Sequence, residues 1–202
     1  MAVAATTELE AVNIMLAAIA EAPINSLTGL LPVDAVTAQS TLTEFNKEVQ
    51  SEGWSFNTET DVTLTRDGSN QISLPSNVLR VDANIHQHPT IDPIQRGLKL
   101  YDRQNNKFEF DEDLICTVVY LRTFDEIPEQ AKRYINIKAA RVFVDRLVGD
   151  QGLRTYTKED EIRARAILME TDLANADHNL LRGDPSLTSI FDTYNPSSAL
   201  IR

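Results

Sequence analysis

Before Val49 the apolar residues recur at steps of three and four; beyond Asn57 they alternate at steps of two. The first spacing is that of one face of a helix, the second that of one face of a strand. In the helical part, Leu9, Val12, Leu16 and Ile19 form one stripe. Thr7 and Glu10 stand at capping-box spacing ahead of it, and Ala22-Pro23 marks its expected end, because proline disfavours a helical residue before it. A second helix is expected from an Asp34 N-cap, with Ala35, Ala38, Leu42, Phe45 and Val49 as a narrow seam. Gly53 suits the left-handed position that closes such a helix. Trp54 and Phe56, two residues apart, are expected to share one face of an extended segment and to plug the end of the helical core.

The strand-spaced region begins with Val62 and Leu64, turns at Asp67–Asn70 and resumes at Ile72 and Leu74, which reads as a hairpin. Val78–Val81 with Ile85, and Leu98–Tyr101, read as further strands; Asp102–Asn106 reads as a turn, followed by the alternating Lys107–Phe110. Leu114–Leu121 is the most apolar run and is expected to be a central strand. His86–Pro93 between them is polar and broken by proline. Helical spacing returns after Asp125-Glu126-Ile127-Pro128, where acids and a proline suit a helix start. That helix is expected to run to Val148, with Ala131, Ile135, Ala139, Val142 and Leu147 apolar, and to stop at Gly149. Thr157 and the acids Glu159–Glu161 open a last helix whose Ile162, Ala166, Met169, Leu173, Ala176 and Leu180 keep a three–four repeat as far as Arg182-Gly183.

The fold class that follows is α+β: a bundle of about four long helices, two from each end of the chain, with a small antiparallel β unit inserted between them. The expected divisions are 1–56 (first helical hairpin), 57–124 (β unit), 125–183 (second hairpin) and 184–202 (an extended tail). A tail carrying Leu187, Ile190, Phe191, Tyr194, Leu200 and Ile201 is poorly suited to water and is expected to dock on a second copy or a partner.

Composition narrows the function. Hydrophobic residues make up 42% of the 202-residue chain, enough for a core, and the net charge of −11 argues against a face that grips phosphates. The single Cys116 excludes an internal disulfide and lies among apolar neighbours, which argues against a nucleophile. No apolar run reaches the length of a membrane helix, and no basic flank suggests a signal peptide. Phosphate-loop, nucleophile-elbow and zincin motifs are missing. His86 and His88 alternate and offer a conceivable metal pair, with Asp92 as a third ligand, although a polar loop explains them as well. His178 suits the negative pole of the last helix. Asp111–Asp113 reads as a solvated turn and Glu159–Glu161 as helix-end chemistry. No catalytic, cofactor or metal residue is therefore assigned.

Three stretches carry a likeness: Glu8–Leu27, Gln50–Asn57 and Asp125–Glu129, with Lys138-Ala-Ala-Arg141 and Glu159–Glu161 following in order. Together they resemble the tail tubular protein A family of short-tailed bacteriophages related to T7. The likeness covers both helical ends and is weak between Asn70 and Phe110; Ala20-Glu21 stands where the family has Gly-Glu. The resemblance implies a virion protein of the tail, made in the host cytoplasm. Such proteins form a twelve-membered ring joining the portal to the tail nozzle, with tail fibres attached at the junction. Genome DNA passes through the bore without sequence-specific binding, and neither cofactor nor membrane is involved. The alternatives are a glycan-cleaving tail enzyme, needing two carboxylates across a cleft, and a metal-binding module at His86 and His88.

Overall fold

The computed structural model describes residues 5–84, 86–147 and 157–175. Among these residues four long helices come from the two ends of the chain: α1 (Glu8–Ala18), α2 (Val33–Gln50), α3 (Glu129–Leu147) and α4 (Lys158–Asn175). Between them lie β1 (Thr58–Leu64), β2 (Val78–Ala83), β3 (Pro93–Arg96), β4 (Lys99–Asp102) and β5 (Leu114–Tyr120). The expected α+β architecture is the one observed.

Helix α3 is the axis of the helical body. It packs against α1, α2 and α4, and Ala131, Tyr134, Ile135, Ala139, Ala140 and Phe143 are at most 1% exposed. A helix apolar on most of its circumference has to lie inside. The α2 seam behaves as its spacing predicts: Ala35, Ala38, Leu42, Phe45 and Val49 are all buried. Pro32 caps this helix, however, and Asp34 falls inside the first turn, where its charge still faces the positive end of the dipole. The Thr7–Glu10 capping box is formed as expected. Ahead of it, the Thr6 amide donates to the Glu129 carboxylate and Lys132 Nζ donates to the Thr6 carbonyl, which ties the start of α1 to the start of α3.

Helix α1 stops earlier than its proline suggests. Ala20 takes φ +61°; its N–H donates to Ala17 O, and the Glu21 N–H reaches back to Leu16 O. This pair of bonds is a Schellman closure, which normally has glycine at the left-handed position.

Helix α4 departs further. Its buried residues are Ala164 and Leu168, whereas Ile162, Met169 and Leu173 are 60%, 47% and 62% exposed. The stripe that reads as a seam in the sequence thus faces away from α3. The residues that attach α4 are the small Ala164, Leu168 and a set of polar contacts. Arg141 Nε donates to Glu161, Arg165 to Glu52, and the Ser55 amide and hydroxyl donate to Asp172.

The β unit has its own core, centred on Ile72, Leu100, Phe110, Leu114 and Val118. As expected, β5 is central: the three-stranded antiparallel sheet has the order β1-β5-β2. The expected hairpin between Val62–Leu64 and Ile72–Leu74 is not formed. The turn exists, with Asp67 Oδ1 accepting the Ser69 and Gln71 amides, but the chain leaving it bridges Glu109 and Lys99 instead. Strand β1 pairs with β5, Val62 opposite Cys116 and Leu64 opposite Leu114. A more apolar partner far along the chain displaces the local one. The second, two-stranded sheet joins β3 to β4. Strand β3 begins at Pro93 inside the stretch expected to be irregular, the one place in an edge strand where a missing N–H costs little. Ile85, Gly149, His178 and Arg182-Gly183 lie outside the described residues, as does the tail with Leu187, Ile190, Phe191, Tyr194, Leu200 and Ile201.

Candidate functional site

The chain crosses between the helical body and the β unit twice, after α2 and after β5, and both crossings are held in one buried polar knot. Gln50, wholly buried, donates from Nε2 to Asn46 Oδ1 and to the Arg122 carbonyl, at 2.8 and 2.9 Å, while its Oε1 accepts the Arg122 amide at 2.8 Å. Asn57, 1% exposed, accepts the Trp54 amide and donates to the carbonyls of Gln50 and Tyr120. Every polar atom of the Asn57 and Gln50 amides is thereby used, which is the condition for burying them without a large penalty. Neither residue stands out in the sequence. Only the distant partners Tyr120 and Arg122 give them their role.

Trp54 sits in this knot, 7% exposed, with its indole N–H donated to Val49 O at 2.8 Å. The plug is confirmed, but its backbone is a turn closed by the Asn57 amide on Trp54 O, not an extended segment; Phe56 still packs against the helical core. Gly53 has φ +82°, and a Cβ there would lie 3.3 Å from Val119 Cγ2 on β5. The glycine therefore ends α2 and lets the β unit close against it. Beside the knot is an open groove of about 350 Å³ lined by Glu8, Leu42, Asn46, Lys47, Arg122 and Phe124 among others.

The sequence-derived chemistry candidates resolve into structural contacts. His88 is 6% exposed: Nε2 accepts the Ile115 amide at 3.0 Å and Nδ1 lies 2.7 Å from Glu112. An Nε2 that accepts leaves the proton on Nδ1, directed at the carboxylate. Both ring nitrogens are engaged inside the chain, whereas His86 is exposed and its backbone N–H donates to Asn84 Oδ1. Asp92 is held by Arg103. Among the described residues no three His, Cys, Asp or Glu side chains converge as a metal site would require.

Asp111, Glu112 and Asp113 turn to separate partners, Lys107, His88 and Arg66. The Arg66 amide and then its guanidinium hold the Asp113 carboxyl below its ordinary range. At the start of α4, the Thr157 amide and hydroxyl do the same for Asp160. Cys116 is buried on β5, and desolvation pushes its thiol up to about 11, so it stays protonated at neutral pH. Among the described residues no helix is long and apolar enough to cross a membrane.

Among the described residues the large apolar side chains left exposed lie on the helices, Val33, Val36, Ile162 and Leu173 among them, and in two connections, at Leu30 and Leu98. The tail tubular protein family matches residues 9–178, most of the chain, and the protein belongs to that family. It is a structural component of the bacteriophage virion tail. No curated protein matches the chain.

Proposed function

We propose that this protein is the ring-forming adaptor that joins the portal to the tail nozzle, twelve copies surrounding the channel through which the genome leaves, with tail fibres attached around the junction. The observation that carries this reading is the family match, which runs through both helical ends and the β unit alike. Three features support it. Both crossings between bundle and β unit are tied by the buried amides of Gln50 and Asn57, which suits a ring segment that has to transmit load. Leu30, Val33 and Val36 form an exposed apolar edge where α2 begins, a surface that a neighbouring subunit or the portal can cover. The net charge of −11 suits a bore that repels the phosphate backbone and does not hold it.

In this reading the tail residues Leu187, Ile190, Phe191, Tyr194, Leu200 and Ile201 dock on an adjacent subunit or on the portal. The test is the mass of the full chain in solution, alone and mixed with its phage's portal protein, for the intact chain and for one lacking Asp184–Arg202. A ring-sized species with portal is expected, weakened by the deletion while helical circular dichroism is unchanged. A chain that stays monomeric beside portal overturns the adaptor reading. A truncated chain that assembles as well as the intact one overturns the role of the tail.

A further inference from the structure

Helix α4 is attached on one side only. With 100° between successive residues, Ile162, Ala166, Met169 and Leu173 fall within an arc of roughly 60°. That arc is centred about 150° from the buried Ala164 and Leu168. All four are exposed, so nothing among the described residues covers a regular large–small–large–large apolar stripe. A solvated helix face has no physical reason to keep such a repeat.

The charges beside the stripe identify what fits it. Arg163 and Glu170 lie on the same rim, one heptad apart, exposed and opposite in sign, with the exposed Glu159 beside them near the start of the helix. Neither makes a salt bridge among the described residues, although the Arg163 charge helps to lower Asp160, three residues before it. The other rim carries Lys158 and Arg165, the latter paired with Glu52. Two copies of α4 placed side by side in parallel would set this rim against the basic one, where Glu170 finds an opposite charge but Arg163 only like charge. Placed antiparallel, each Arg163 meets the Glu170 of the second copy, and both pairs form at once. The two-fold axis then falls beside Ala166, the smallest member of the stripe, where the helices approach most closely. Ile162 of each copy enters between Met169 and Leu173 of the other. This is the self-complementarity that an isologous contact demands.

We propose that the exposed face of α4 is a homotypic interface at which two free copies of this chain pair antiparallel. The inference does not depend on the ring reading, which concerns other surfaces and a different partner. A single pair of helices about 27 Å long is smaller than a standard protein interface, so the pair is expected to be weak and concentration-dependent.

Sedimentation equilibrium of the full chain without portal tests it. The intact chain is expected to dimerise reversibly in the micromolar range. Arg163→Glu or Glu170→Arg alone puts two like-charge contacts in each dimer and should weaken association roughly tenfold. The double reversal, Arg163→Glu with Glu170→Arg, should restore it, and Met169→Glu should abolish it with the circular dichroism unchanged. An intact chain that remains monomeric at the highest soluble concentration overturns the proposal. A dimer indifferent to both single reversals also overturns it, by placing the interface elsewhere. Either failure leaves the adaptor reading standing, because that reading is judged by assembly on portal.

Discussion

Trp54 donates its indole N–H to the Val49 carbonyl and its backbone N–H to Asn57, so the largest side chain at the junction is buried with its polar groups satisfied. Its contribution is therefore apolar filling at the end of the helical core. Replacing it with alanine should lower unfolding stability by ~3–5 kcal/mol, the range for emptying an aromatic core site. Chemical denaturation measures this directly, and a loss below about 1 kcal/mol would show that the junction does not need the ring. The plug was legible in the sequence because a lone tryptophan beside a helix-closing glycine has few other uses. Gln50 and Asn57 were not legible, since nothing local distinguishes a buried amide from a surface one. Their burial depends on Arg122 and Tyr120, more than sixty residues away along the chain.

At the scale of the element, helix ends and helix faces behaved differently. The Thr7–Glu10 capping box was readable because its chemistry is local: a hydroxyl and a carboxylate three residues apart satisfy two amides. The end of α1 was misread because proline is a visible stop signal and Ala20 is not. Ala20 nevertheless holds the left-handed conformation of a Schellman closure at φ +61°, where an L side chain is strained. Ala20→Gly should raise stability by about 0.5–1 kcal/mol, the strain relieved less the extra freedom glycine gives the unfolded chain. A lower melting temperature for this variant would mean that the Ala20 methyl makes contacts that outweigh the strain. The apolar stripe of α4 was equally visible and pointed the wrong way. Periodicity finds a face but cannot name its partner, and the joint with α3 is made by Ala164, Leu168 and the Arg141–Glu161 ion pair. The expected β hairpin failed for a related reason: the turn at Asp67 is local, but the apolar strand that β1 pairs with is β5.

At the scale of the molecule, carboxylates on both units are held in their charged form by contacts that exist only after folding. On the β unit, burial alone would raise the Asp102 carboxyl. Hydrogen bonds from the Asn105 side chain and from the amides of Asn105, Asp92 and Gln104 outweigh it and leave the group below its ordinary range. On the helical body the Thr6 hydroxyl and amide lower Glu129 against its partial burial, and the Thr123 hydroxyl and amide lower Glu126. A carboxylate with a depressed folded pKa stabilises the protein above its unfolded value, about 4 for these side chains. That contribution is lost as the pH falls through the folded value. The melting temperature is therefore expected to be flat near neutrality as far as these groups are concerned, and to fall steeply below about pH 4. In Asp102→Asn the β unit should be destabilised at neutral pH, by about 1–3 kcal/mol, and the acid-dependent fall should be shallower. A melting profile unchanged between neutrality and pH 3 would refute the linkage.

The sequence by itself determined the α+β class, the helices at both ends of the chain, the central strand, the Thr7 capping box and the aromatic plug. Each of these follows from spacing or from chemistry within a few residues. The likeness that points to tail tubular proteins also lies in contiguous stretches. Tertiary structure decided which strand β1 joins, which amides tie bundle to β unit, that His88 supports the Ile115 amide, and that α4 turns its regular apolar face outward. All of these depend on partners brought together from distant parts of the chain. A one-dimensional pattern records that a face is apolar, but only packing decides whether the face is used inside the molecule or left for another.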